Sequence, residues 1–69
     1  MLDIAIDYGR AWGGIAAGAA AFARDLMRDD PATFKRGYSR DSALLTAFEA
    51  FDLEPDSATA DAIRDAVPA

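Results

Sequence analysis

The stretch IAIDYGRAWGGIAAGAAAFARDL, residues 4–26, decides how this chain folds. Its larger apolar residues Ile4, Tyr8, Trp12, Ile15, Phe22 and Leu26, with Ala19 filling the gap, recur every three or four positions, which is the repeat of one helical face. Asp3 and Asp7 near its start and Arg24 and Arg28 near its end suit the two poles of a helix dipole. Leu2, Ile4, Ile6 and Tyr8 also alternate with Asp3, Ala5 and Asp7 as a half-buried strand would, but a lone short strand has no obvious pairing partner here. The reading is therefore helix, with an α+β arrangement carrying a short N-terminal strand as the alternative.

Glycine interrupts the pattern. Gly9 and the pair Gly13-Gly14 each cost up to about 1 kcal/mol relative to Ala inside a helix, so a kink or break is expected there. Gly14 and Gly18, four apart among Ala16, Ala17, Ala19, Ala20 and Ala21, make a face smooth enough for another backbone to approach closely. Either a second helix of the same chain or a partner in a dimer seam packs on it.

Asp30-Pro31 ends the first helical region, because the residue before a proline is pushed out of helical geometry. A short helical turn is expected from Pro31 to Arg36, closed by Gly37 as a left-handed cap. Ser39 or Asp41 caps the next helix, whose apolar residues are Leu44, Leu45, Phe48 and Phe51. Asp52-Leu53-Glu54-Pro55-Asp56 breaks it, and Asp56 or Ser57 opens a last helix through Ala60, Ile63 and Val67, stopped by Pro68. The expected architecture is all-α: one small domain over residues 1–69, a bundle of three to four helices with a long or kinked N-terminal helix. Trp12, Ile15, Phe22, Leu26, Leu44, Phe48 and Phe51 are the expected core.

Composition narrows the function. Of 69 residues 17 are Ala, leaving 19 larger apolar side chains for the core, so the domain is marginal in size and a partner surface is well placed to complete it. The chain has no cysteine and no histidine, which removes disulfides, thiolate metal sites, Cys nucleophiles and every His-based scheme. Met1-Leu2-Asp3 lacks the basic start of a secretory leader, which predicts a cytoplasmic protein. The longest charge-free run, Ala11 to Ala23, is thirteen residues against the roughly 20 that cross a bilayer.

No constellation reads as catalytic. Ser39, Ser42 and Ser57 have no His base, only Lys35 offers an activating amine, and Gly13, Gly14 and Gly18 fit neither nucleotide-binding glycine pattern. Asp52, Glu54 and Asp56 alternate like the start of a calcium loop, but Ser57 stands where glycine is needed and Ile63 where glutamate is needed. Neither a metal nor a cofactor is expected. Residues 45–67 have the outline of a helix-turn-helix, yet the second helix offers Asp56, Asp61 and Asp65 with a single Arg64, the wrong sign for DNA. The basic middle, Arg24, Arg28, Lys35, Arg36 and Arg40 around Phe34 and Tyr38, is diluted by Asp25, Asp29 and Asp30, and direct nucleic-acid binding is not expected.

The net charge of −5 divides unevenly: residues 1–40 carry six basic and five acidic side chains, whereas residues 41–69 carry seven acidic and one basic. The functional reading is a non-enzymatic protein-binding module, an inhibitor or adaptor. Its acidic half would present Glu49, Asp52, Glu54, Asp56, Asp61 and Asp65 to a basic, nucleic-acid-binding surface of a larger partner. In size, charge and lack of catalytic groups the chain is similar to small acidic phage-encoded inhibitors of host defence, anti-CRISPR proteins among them, although no motif carries the comparison. The alternative is a self-associating structural or regulatory protein, an antitoxin-like or assembly component that dimerises through the Gly/Ala face and Trp12. A plain solvating role for the carboxylates is the background against which both are weighed.

Overall fold

The computed structural model describes residues 1–68 and is a small all-helical domain. Four helices succeed one another in order: α1 Asp3–Trp12, α2 Ile15–Met27, α3 Arg40–Ala50 and α4 Ala58–Ala66. The alternative of an N-terminal strand is not adopted, since α1 starts at Asp3.

The break falls at Gly13-Gly14. Gly13 sits in the left-handed region at φ 83°, and its N–H and that of Gly14 both donate to the Gly9 carbonyl, at 3.0 and 2.9 Å. This is the glycine-terminated helix end that a Cβ disfavours. The break expected at Gly13-Gly14 thus divides the N-terminal helical region into two helices, with α2 folded back on α1.

The fold-back explains two corrections. Trp12 and Ile15, expected in the core, are 55% and 46% exposed. They lie on one stripe only if the helix is continuous, and the turn between them moves both to the edge of the α1–α2 pair. Gly14, expected in a close helix contact, is in the turn with open space around its Cα. Gly18 does lie at such a contact, but its partner is Gly9: a Cβ on Gly18 would come within 2.8 Å of the Gly9 Cα and N. The Gly/Ala face is thus met at Gly18 by α1 of the same chain, and Ala19, Ala20 and Ala23 are buried in the core.

α2 contacts α1, α3 and α4 and forms the spine of the domain. Phe22 on the spine meets Tyr8 and Phe51 edge to face, with ring centroids 5.3 and 5.8 Å apart. Leu44, Phe48 and Phe51 are buried as the spacing predicts, Leu26 is half-buried, and Ile63 and Val67 complete the core from α4.

Both later helices are capped by serine. The Ser39 hydroxyl accepts from the Ser42 N–H at 3.3 Å and the Ser57 hydroxyl from the Ala60 N–H at 3.1 Å. Asp52, just past α3, takes φ 54°, a left-handed conformation that Asp tolerates better than most residues.

The expected helical turn at residues 31–36 is instead a tight turn closed by a reciprocal backbone bridge. The Asp30 N–H donates to the Lys35 carbonyl at 2.9 Å and the Lys35 N–H to the Asp30 carbonyl at 3.2 Å. Phe34, not Gly37, takes the positive φ, at 57°. Gly37 is required for a different reason: a Cβ there would lie 2.0 Å from the Met27 carbonyl oxygen.

The Gly9–Gly18 approach yields a direct test. Gly18→Ala improves helix propensity by about 1 kcal/mol but forces α1 and α2 apart, so a net loss of roughly 1–3 kcal/mol is expected in chemical denaturation. Phe48→Ala, which opens a cavity among α2, α3 and α4, is expected to lose about 3–5 kcal/mol by the same measurement.

Candidate partner-binding surfaces

The acidic surface is built by α3, the connection after it and α4. Glu49 lies on α3, Asp52, Glu54 and Asp56 on the connection, and Asp61 and Asp65 on α4, where a spacing of four places them on one side. All six carboxylate residues are exposed. Asp52 accepts a hydrogen bond from the N-terminal amine of Met1, and Asp61 pairs with Arg64 at 2.9 Å. Glu49, Glu54, Asp56 and Asp65 make no ion pair among the described residues. Nor do three acidic side chains among the described residues gather closely enough to hold a metal ion.

Two arginines near this surface, Arg24 and Arg40, are engaged by backbone carbonyls rather than by its carboxylates. Arg40 donates through Nε to the Val67 carbonyl at 3.0 Å and through Nη2 to the Arg64 carbonyl at 2.8 Å, while Arg24 reaches the Ala66 carbonyl at 3.3 Å. These carbonyls end α4, where the helical ladder runs out of donors; among the described residues only the Arg64 carbonyl also receives a backbone N–H, that of Val67 at 3.4 Å. Arg64 donates to the Pro55 carbonyl as well as to Asp61, and its guanidinium lies 5.1 Å from the Phe48 ring centre. The basic middle read from the sequence is therefore dispersed: Arg24 and Arg40 hold the end of α4 and Arg28 pairs with Asp25 at 3.4 Å. Lys35 and Arg36 remain without an ion pair among the described residues. Arg40 did carry a signal, because a cation in the first turn of a helix has the wrong sign for that helix's own dipole and suits the C-terminal end of another.

Two apolar features escaped the sequence reading. One is a shallow groove of about 430 Å³ lined by Ile4, Asp7, Tyr8, Ala11, Trp12 and Asp25. The Arg24 guanidinium lies 5.6 Å from the Trp12 ring centre, and Tyr8 donates its phenolic hydrogen to Asp25. That hydrogen bond, aided by partial burial and by the Asp25 charge, raises the Tyr8 pKa above its ordinary value.

The other is Phe34, 93% exposed at the tip of the 30–35 turn. Asp30 braces that turn with its carboxylate, accepting from the Ala32 N–H at 3.1 Å and the Thr33 hydroxyl at 2.8 Å, and Asp29 accepts from the Gly37 N–H at 2.7 Å. Helical periodicity places Ile4, Tyr8 and Trp12 on one face but assigns that face to the core, and it carries no information about Phe34.

No helix among the described residues is long and apolar enough to cross a membrane. Comparison with protein families, curated proteins and solved structures finds no match, so function is read from these surfaces alone.

Two measurements check this geometry. With the Tyr8 pKa raised in the folded state, its contribution to stability is complete below the unfolded value near 10 and is lost as pH rises through the folded value. Stability is accordingly expected to fall above about pH 10 in the native chain, and less steeply in Tyr8→Phe, as followed by denaturation at a series of pH values. Phe34→Gly relieves the left-handed backbone and removes no packing, so its stability is expected to equal or exceed that of the native chain by up to about 1 kcal/mol.

Proposed function

We propose that this chain is a non-enzymatic protein-binding module, an inhibitor or adaptor, whose acidic half docks on a basic surface of a larger partner. The observation that carries this reading is the disposition of charge. Glu49, Glu54, Asp56 and Asp65 face solvent without an ion pair among the described residues, while Arg24 and Arg40 are engaged by backbone carbonyls and do not neutralise them. A surface of one sign steers an oppositely charged partner and is screened by salt. The fitting partner surface is a Lys/Arg-lined groove of the kind that holds a phosphate backbone, in which carboxylates stand where phosphates would.

The reading is tested by capture from a bacterial lysate at low and high salt, with the native chain and with a variant carrying Glu49→Gln, Glu54→Gln, Asp56→Asn and Asp65→Asn. Asp52 and Asp61 are left alone because each has a partner within the chain. Basic proteins are expected on the native chain and lost with the variant or with salt, whereas the melting temperature moves little, since exposed charges contribute within about 1 kcal/mol each. Heparin should displace the captured protein. Capture that survives the substitutions, salt and heparin alike would show that the interface lies elsewhere.

A further inference from the structure

Phe34 stands against two ordinary rules at once. A bulky residue in the left-handed region is an outlier that persists only where its surroundings impose it, and here glycine or asparagine would close the same turn with less strain. Nor is the strain offset by packing inside the molecule, because the ring is 93% exposed. Asp29 and Asp30 instead clamp the turn through six hydrogen bonds, three to their carboxylates, two in the backbone bridge and one from the Thr33 N–H to the Asp30 carbonyl, and so fix the backbone that presents the ring to solvent. Lys35 and Arg36 come directly after it. The result is an aromatic knob with a cationic base.

An apolar socket large enough for such a ring, with a carboxylate in its lining, is on the same chain. The α1 groove of about 430 Å³ has Ile4, Ala11 and the half-exposed Trp12 on its walls; Asp25 on its rim is already held by Tyr8 and Arg28, whereas Asp7 lines it without an ion pair among the described residues. Phe34 does not line its own groove, so a second molecule must supply the knob.

We infer that two copies of this chain associate by inserting Phe34 of each into the α1 groove of the other, with the cationic Lys35–Arg36 pair facing Asp7. A twofold arrangement satisfies both knobs and both sockets in one closed pair. Two aromatic anchors with a small contact area fit a weak, reversible dimer at the low end of specific interfaces. The inference is independent of the partner surface proposed above, because the carboxylates of residues 41–69 belong to neither knob nor socket.

Sedimentation equilibrium from about 10 μM to about 1 mM reads the association directly. The native chain is expected to dimerise across this range, and Phe34→Gly and Trp12→Ala are each expected to weaken association at least tenfold while melting cooperatively. The decisive arm mixes those two variants: Phe34→Gly keeps an intact socket and Trp12→Ala an intact knob, so the mixture regains one contact per pair and associates more strongly than either variant alone. Asp7→Lys should likewise weaken the dimer and be partly rescued by Lys35→Glu in the same chain.

A native chain that stays monomeric to about 1 mM overturns the inference, including one that instead binds vesicles of phosphatidylglycerol through Phe34. So does a dimer that Phe34→Gly leaves intact, or a mixture of the two variants that gains nothing over its components.

Discussion

Everything in this domain depends on how closely α1 lies on α2. At Gly9 and Gly18 there is no side chain between the two backbones, and a methyl group added at Gly18 would overlap backbone atoms of α1. Such an approach needs a stripe of small residues, and Ala5, Gly9, Gly18 and the alanines after it supply it. The same closeness leaves no room for larger neighbours. Ile4, Ile6, Trp12 and Ile15 flank the contact at the outside of the pair, each more than a third exposed. The apolar groove on α1 is thus a by-product of the contact that holds α1 in place.

A second constraint orders the charge. The last carbonyls of α4 need donors, and the guanidinium groups of Arg24 and Arg40 satisfy them from α2 and α3. Two of the seven basic residues are thereby tied to the backbone, and Arg64 stays near its own helix beside Asp61, Pro55 and Phe48. The separation of charge visible along the sequence therefore persists in three dimensions, sharpened by where the arginines go. Electrostatic steering and the apolar contacts of α1 are consequently properties of different parts of the molecule.

Much of the fold was legible because its signals are local. Ser39 and Ser57 announce their helices by capping chemistry that acts within three residues, and the Gly13-Gly14 break stems from intrinsic backbone preference. The consequences of that break were not legible. Helical periodicity treats residues 4–26 as one rod, on which Trp12 and Ile15 share a stripe with Phe22, and a reversal between them cancels that inference. The pairing of Arg24 with Ala66 spans 42 positions, and the need for glycine at 37 comes from the Met27 carbonyl ten residues earlier. Neither leaves a trace in local pattern. The exposure of the carboxylates was readable from their type alone, whereas Phe34 was hidden because its conformation is set by the side chains of Asp29 and Asp30 rather than by its own preference.

The alanine spine also makes the molecule's tolerance of sequence change lopsided. Among the described residues, nine of the fifteen buried hydrophobic positions are alanine, so at most of the core there is little left to remove. Truncation does damage only at a few large anchors such as Phe22, Phe48 and Phe51, whereas enlargement does damage nearly everywhere along α2. Drift in such a lineage would keep small residues small through the middle of the chain and vary the bulky ones at its surface. The side chains that meet other molecules are then the ones most free to diversify, and a single scaffold can change its associations without rebuilding its interior.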